Sequence, residues 1–382
     1  MHEHKQNQCK RKVKHRKNVM GLIIFCITVG IAFMFTYYQN LRKEISARQK
    51  WLETVLTGEK KWILENQGPE GEIYMNGSKA GDVNPYFACI AALGLLAETK
   101  NCPMTETEKK AVGRYLDWHT GILLETDGKM GIYRKESGKL IYKEKADSED
   151  GYLGMYLFLM GKYLEKTEST DLPEYWKKGI SLALKKIQSL MQDGITQVSE
   201  ENTTVYLMDN LEVWKGLYEL ELAGLEDTQA ISEMRKKIQE QIEKIFWDDA
   251  NQRWRIIGNS DLYDQTEFYP DGVAQIYPLI YEFPVKEKKK QKILYDQFTE
   301  RFQWQKLNKK RTGFLWAITG MAAAQMGDIN NLVELIRNYE TEYCENRKYP
   351  LYTGEAGWIC MECGKLYGLY ERKIKTGFIL CA

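Results

Sequence analysis

Three carboxylates crowd one short stretch of the chain, Ala146-Asp147-Ser148-Glu149-Asp150-Gly151-Tyr152-Leu153-Gly154-Met155. The stretch joins an acid-rich loop to a run that is apolar on nearly every side, and such a run reads as a buried helix. A serine followed by acids suits a helix start, where side-chain oxygens satisfy orphan amides and negative charge meets the positive end of the dipole. Glu149 would then sit at the mouth of a buried helix, partly desolvated and beside Asp147 and Asp150. A carboxyl so placed acquires a raised pKa and can act as a general acid. The same residues also make an ordinary acidic N-cap, so the rest of the chain has to decide.

Beyond Leu41 an amphipathic stretch is followed by a nearly all-apolar one, six times over. The pairs are Leu41 to Asn66 with Asn84 to Thr99, Thr105 to Leu124 with the helix opened by Glu149, and Pro173 to Met191 with Asp209 to Leu222. Then come Thr228 to Trp247 with Asp271 to Phe283, Lys286 to Phe302 with Gly313 to Met326, and Ile329 to Arg347 with Glu355 to Tyr370. An outer ring of amphipathic helices around an inner ring of buried ones produces this alternation. The expected fold is all-α, an (α/α)6 toroid of six helical hairpins.

Connections from a buried helix to the next amphipathic one are short, whereas Glu125 to Ser148, Gln192 to Met208 and Asp248 to Pro270 are long. Long connections in a compact domain are usually functional, which makes the working face the one where buried helices begin. Asp209, Glu212, Asp271 and Glu355 lie at or near these starts, and Tyr152, Tyr206, Trp214, Tyr269, Trp316 and Trp358 flank them. Aromatic faces cover the apolar side of a pyranose while carboxylates bind its hydroxyls, so the pattern suits a sugar site. The competing reading is that the rings are core and the acids scattered caps.

A ring of six hairpins with acids at the inner helix starts resembles the six-hairpin glycosidase superfamily. Within it, Ser148-Glu149-Asp150-Gly151-Tyr152-Leu153-Gly154-Met155 is similar to the Ser-Glu-Gly-x-x-Tyr-Gly-Met segment of family-8 glycoside hydrolases. The resemblance implies Glu149 as proton donor and Asp209, in Asp209-Asn210-Leu211-Glu212, as a sugar-binding carboxylate. It implies Asp271, in Tyr269-Pro270-Asp271-Gly272, as the base of an inverting hydrolysis, with Glu267 the competitor for that role. Asp147, Asp150, Tyr152, Tyr206, Glu212, Trp214, Tyr269, Trp316, Glu355 and Trp358 would contact a polysaccharide or oligosaccharide substrate. Two rivals stay open: a polysaccharide lyase or unsaturated-uronide hydrolase on the same toroid, and a catalytically silent glycan-binding protein.

The charge balance, 54 basic against 53 acidic residues, offers no field for nucleic acid. Basic residues cluster only in the first 18 positions, directly before the charge-free run Val19 to Tyr38. That run reads as a transmembrane anchor, with the basic tail cytoplasmic and residues 41–382 forming an extracytoplasmic domain. A cleaved signal peptide is the competitor, and no small-residue cleavage site follows the run. Cys360-Met361-Glu362-Cys363 has a zinc-like spacing, but it falls in a helical pattern and His119 is the only histidine beyond the anchor. Buried thiols or a disulfide fit better than a metal. Without a phosphate-cradling glycine loop or a Ser-His-Asp pattern, no cofactor is expected.

Overall fold

The computed structural model describes residues 2–77, 81–136, 139–169, 172–225, 228–258, 260–307 and 313–381, with side chains described except at 2–19, 21, 22, 24 and 376–381. Among the described residues there are twelve α-helices: α1 (His2–Glu65), α2 (Pro85–Leu95), α3 (Glu106–Glu125), α4 (Glu149–Thr167), α5 (Glu174–Leu190) and α6 (Leu207–Leu222), then α7 (Thr228–Phe246), α8 (Val273–Ile280), α9 (Lys288–Phe302), α10 (Thr319–Met326), α11 (Ile329–Tyr339) and α12 (Thr353–Cys381). The chain divides into two compact units, residues 1–52 with 367–382 and residues 53–366. In the smaller unit Arg48 donates to the hydroxyl of Tyr370 at 3.0 Å and to Glu44 at 2.7 Å.

The larger unit carries the toroid. Its even-numbered helices are the apolar ones and pack side by side in sequence order, with α3, α5, α7, α9 and α11 laid against them. Glycines set how closely the inner helices approach. A Cβ on Gly154 of α4 would lie 2.7 Å from the amide nitrogen of Val213 on α6, and one on Gly216 would lie 2.3 Å from the carbonyl oxygen of Gly154. Only a residue without a side chain lets two backbones meet like this. The ring closes in the same way, since a Cβ on Gly357 would lie 2.2 Å from the carbonyl oxygen of Ile90 on α2.

Local signals place the helix starts. Thr105 and Glu108 form a reciprocal capping box on α3, Ser148 caps α4 by accepting from Gly151 N–H at 3.2 Å, and Asn84 caps α2 by accepting from Tyr86 N–H at 2.9 Å. The outer helices α5, α7 and α11 each turn an apolar stripe inward, through residues such as Ile180, Ile187, Ile238, Ile242, Leu332 and Ile336.

Three elements depart from expectation. The long connection before α4 contains strands β2 (Gly131–Glu136) and β3 (Lys139–Lys145), which pair antiparallel with each other and, through β2, with β1 (Asp82–Val83). The buried helix expected from Gly313 begins only at Thr319, because the amides of Leu315, Trp316 and Ala317 are spent on the carboxylate of Glu355. The helix expected from Asp271 opens with a wider turn, Phe268–Gly272, before α8.

Val19 to Tyr38 is helical, inside α1, and Ile23, Phe25, Phe33 and Phe35 on it are exposed. Among the described residues no helix is long and apolar enough to cross a membrane; the side chains of Val19, Gly21, Leu22 and Ile24, which belong to this run, lie outside the described residues. Cys89, Cys360 and Cys363 are buried free thiols. Among the described residues no cluster of His, Cys, Asp and Glu side chains is placed to hold a metal ion.

Candidate active site

A cavity of about 630 Å³ opens at the end of the toroid where the inner helices begin. Of the residues singled out in the sequence, Asp147, Tyr152, Asp209, Glu212, Tyr269, Trp316, Glu355 and Trp358 line it. The β1–β2–β3 sheet forms part of the wall through Asp82, Ile132, Glu144 and Lys145.

Five expected site residues lie outside the lining, Glu149, Asp271, Trp214, Tyr206 and Asp150. Glu149, expected as the proton donor, is the first residue of α4 and turns back to Lys145, 3.4 Å away, beside a separate small depression. The helix geometry causes this: Asp147 precedes the cap and reaches the cavity, while two residues later the helical phase points the side chain outward. Asp271, expected as the base, is buried and accepts from the amide of Asp264 at 2.8 Å, fastening the preceding loop. Trp214 is core, stacked on Tyr218 with ring centroids 5.3 Å apart, its indole N–H donating to Gln239. Tyr206 precedes α6 outside the cavity lining and is bridged through its backbone to Ile257.

Asp150 lies behind the cavity wall. Only 1% exposed, it accepts from Ser148 Oγ at 2.8 Å and from Thr196 Oγ1 at 2.7 Å. Burial pushes its carboxyl up to about 6, against the pull of those hydroxyls.

The centre of the cavity is a pair of carboxyls on α6. Asp209 and Glu212 are three residues apart and so share a helix face. A Cβ on Gly151 of α4 would lie 2.8 Å from Glu212 Oε2, 2.9 Å from Ser148 Oγ and 3.6 Å from Asp209 Oδ1, so glycine leaves both acids open to one small space. The other oxygen of Glu212, Oε1, accepts from three tyrosines: Tyr86 at 2.5 Å, Tyr277 at 2.8 Å and Tyr281 at 3.2 Å. Burial pushes Glu212 up to about 7, with the three hydroxyls pulling the other way. Asp209 is driven well above the ordinary carboxylate range by desolvation first and then by the charges of Asp150 and Glu212. Two neighbouring carboxyls in one partly desolvated site cannot both ionise freely, and here the hydroxyls favour the charge on Glu212 and leave the proton on Asp209.

Glu355 has a different task. Its Oε1 accepts from the amides of Leu315 and Trp316, both at 3.1 Å, and its Oε2 from Ala317 at 2.9 Å. Burial pushes its carboxyl up to about 7 against these amides. Glu355 therefore mounts the segment that carries Phe314 and Trp316 on the cavity rim.

The tyrosines around Glu212 were missed in the sequence, although Tyr277 and Tyr281 at a four-residue spacing on an apolar helix were a usable signal. Phe87 and Phe314, which line the cavity with rings stacked 5.6 Å apart, gave none. His119 is core: its Nδ1 lies 3.1 Å from the Tyr115 hydroxyl, and burial pushes its pKa down to about 3.

No family model and no curated protein matches the chain. Solved structures do. A wild-type glycosidase superposes with a TM-score of 0.60 at 13% identity, covering 85% of this chain and 99% of that one. An alpha-amylase from Clostridium perfringens gives 0.53 at 13% identity, with 82% and 97% covered. A D-mannose isomerase gives 0.53 at 12% identity, with 83% and 97% covered. At these identities the likeness is one of fold alone, and it does not reach to family 8 in particular.

Proposed function

We propose that the toroid is a glycoside hydrolase acting on a polysaccharide, with Asp209 as the proton donor. The observation that carries this reading is the Asp209–Glu212 pair, two carboxyls opening on one cavity with three tyrosine hydroxyls on the second of them. Asp209, neutral, gives its proton to the leaving glycosidic oxygen. Glu212, anionic, stabilises the positive charge that develops on the sugar ring. Asp147, exposed at the rim, takes a proton from the water that attacks the opposite face, and the anomeric configuration inverts.

What supports a hydrolase over a lyase is the charge of the lining. Among the described lining residues Lys145 is the only cation, and it is engaged by Glu149 and Glu201. A uronate would therefore meet the carboxylates of Glu144, Asp147 and Glu212, while the cations beside the wall, Arg134 and Lys143, are already paired with Asp82. The experiment is incubation of the full chain with β-glucan, starch, xylan, chitosan and purified cell-wall polymers, reading new reducing ends and their anomeric form by NMR. Release of sugars in the inverted configuration is expected; binding without release moves the assignment to a silent glycan-binding protein.

The same proposal places the enzyme at a membrane, tethered through Val19 to Tyr38 with the toroid outside. The charge-free sequence of that run and its basic flank support it. The full-length protein is then expected in the membrane pellet, and recovery of a soluble form starting near Gln39 refutes the tether.

A further inference from the structure

Beside the cavity a chain of aromatic rings continues outward. Tyr269 and Trp316, both in the lining, have ring centroids 4.6 Å apart. From Trp316 the next step is Phe314 at 6.2 Å, then Tyr352 at 5.5 Å, then Tyr349 at 6.2 Å. Of these, Phe314 and Trp316 still touch the cavity, whereas Tyr352 and Tyr349 lie beyond it. The rings at the two ends are exposed, Tyr269 at 45% and Tyr349 at 70%, and Trp316, Phe314 and Tyr352 between them are half-buried.

Three features show that this row is held in place rather than left over. Trp316 has φ +59°, a left-handed conformation that a large side chain adopts only when its surroundings impose it. The imposition is visible, since Glu355 fixes the amides on both sides of it and its own. Gly313, at φ +77°, leaves room for the Tyr349 hydroxyl, which a Cβ there would meet at 2.8 Å. The row is thus mounted at one end by a buried carboxylate and seated at the other against a glycine.

We propose that Tyr269, Trp316, Phe314, Tyr352 and Tyr349 form a ledge that binds the successive sugar units of a linear chain whose reacting unit occupies the cavity. The inference rests on the hydrolase reading and deepens it: the substrate is an extended chain, not a mono- or disaccharide. Each step between rings is about the size of one pyranose, and successive rings are tilted against one another by 38°, 70°, 54° and 81°, so the row offers ring faces and edges that take up the apolar side of a sugar without fixing its hydroxyls. The continuity of the row with the cavity selects a chain that enters the site over protein aromatic groups.

The test uses full-length Asp209→Asn, in which turnover is blocked, titrated by tryptophan fluorescence with malto-, cello- and chito-oligosaccharides from one to six units. For the series that binds, affinity is expected to rise with each added unit. Adding Tyr349→Ala should remove the gain of the longest members, roughly three- to tenfold, and Tyr349→Trp should restore it. Glu355→Gln, which frees the mount, should flatten the whole length dependence while circular dichroism stays unchanged. Binding that does not grow with length, or growth that Tyr349→Ala leaves intact, overturns the ledge alone. Absence of binding by every sugar at every length overturns both the ledge and the hydrolase reading.

Discussion

The hydroxyl of Tyr86 lies 2.5 Å from Oε1 of Glu212, joining the first turn of one inner helix to the first two turns of another across 126 positions of sequence. Tyr277 and Tyr281 reach the same oxygen from a third helix. Glu212 is therefore faced by Tyr86 from α2, by Asp150 and Tyr152 from α4, by Asp209 on its own helix, and by Tyr269, Tyr277 and Tyr281 from the segment around α8.

From this follows the pH behaviour of a Tyr277→Phe variant. A hydroxyl that donates to a carboxylate stabilises the anion, so its loss raises the pKa of Glu212. More of the protein then holds Glu212 protonated at a given pH, and the acid limb of the rate profile moves upward. One such hydrogen bond corresponds to a shift of up to about one pH unit. A profile of kcat/KM against pH that stays in place in Tyr277→Phe would remove Glu212 from the charged role.

Asp209 and Glu149 separate the structural assignment from the one the sequence motif suggests. Asp209→Asn keeps shape but cannot give a proton, and turnover should fall by roughly 10²- to 10⁴-fold. Glu149→Gln removes an acid from the first turn of α4 and its contact with Lys145. It should cost at most about 1 kcal/mol of stability and leave turnover within a few-fold of the parent. If Glu149→Gln is the inactive variant and Asp209→Asn the active one, the family-8 role of Glu149 stands and the present assignment does not.

That contrast also shows what the sequence could reveal. The alternation of amphipathic and apolar stretches was enough for the toroid, because residues such as Ile231, Ile238 and Ile242 on α7 repeat at helical spacing and are all buried. The end that carries the cavity was legible too, since long connections and helix-start acids coincide there. Which of the neighbouring acids reaches the cavity was not. Asp147, Glu149 and Asp150 lie within four positions, yet one faces the cavity, one faces Lys145 and one is sealed behind Thr196. Such differences depend on helical phase at a cap, where one residue is about 100° of rotation. Strands β2 and β3 escaped notice because charged residues occupy both of their faces, leaving no clean two-residue alternation to read.

Buried carboxyls should make the protein less stable as pH rises across the mildly acidic range. Asp150, Glu212 and Glu355 are pushed by burial up to about 6, about 7 and about 7. Glu362, fully buried with neither carboxyl oxygen hydrogen-bonded among the described residues, is raised as well. A carboxyl whose folded pKa exceeds its unfolded one binds more protons when folded, so its stabilising contribution is full below the unfolded value near 4 and is lost as pH climbs through the folded value. Melting temperature should thus be higher at pH 5 than at pH 8. Glu362→Met, which fills the same volume without a charge to bury, should reduce that difference and raise the value at pH 8. An unchanged difference in Glu362→Met would mean that Glu362 has a partner in solution.

The close approach of α4 and α6 is the last point at which fold and site can be tested together. A methyl on Gly154 would lie 2.7 Å from the amide nitrogen of Val213 and 2.8 Å from the carbonyl carbon of Glu212, both backbone atoms that cannot swing aside. Gly154→Ala must therefore push the two helices apart, at a cost typical of overpacking, about 1–3 kcal/mol. Because the displaced backbone belongs to Glu212, the shift also changes how that carboxyl meets Tyr86, Tyr277 and Tyr281. Gly121→Ala is the control, since nothing lies within 4 Å of a Cβ there and alanine favours the helix. The expected outcome is a lower melting temperature and lower kcat in Gly154→Ala, with Gly121→Ala at or above the parent in stability and equal to it in rate. Equal melting temperatures for the two variants would show that the inner helices are not in the glycine-mediated contact described above.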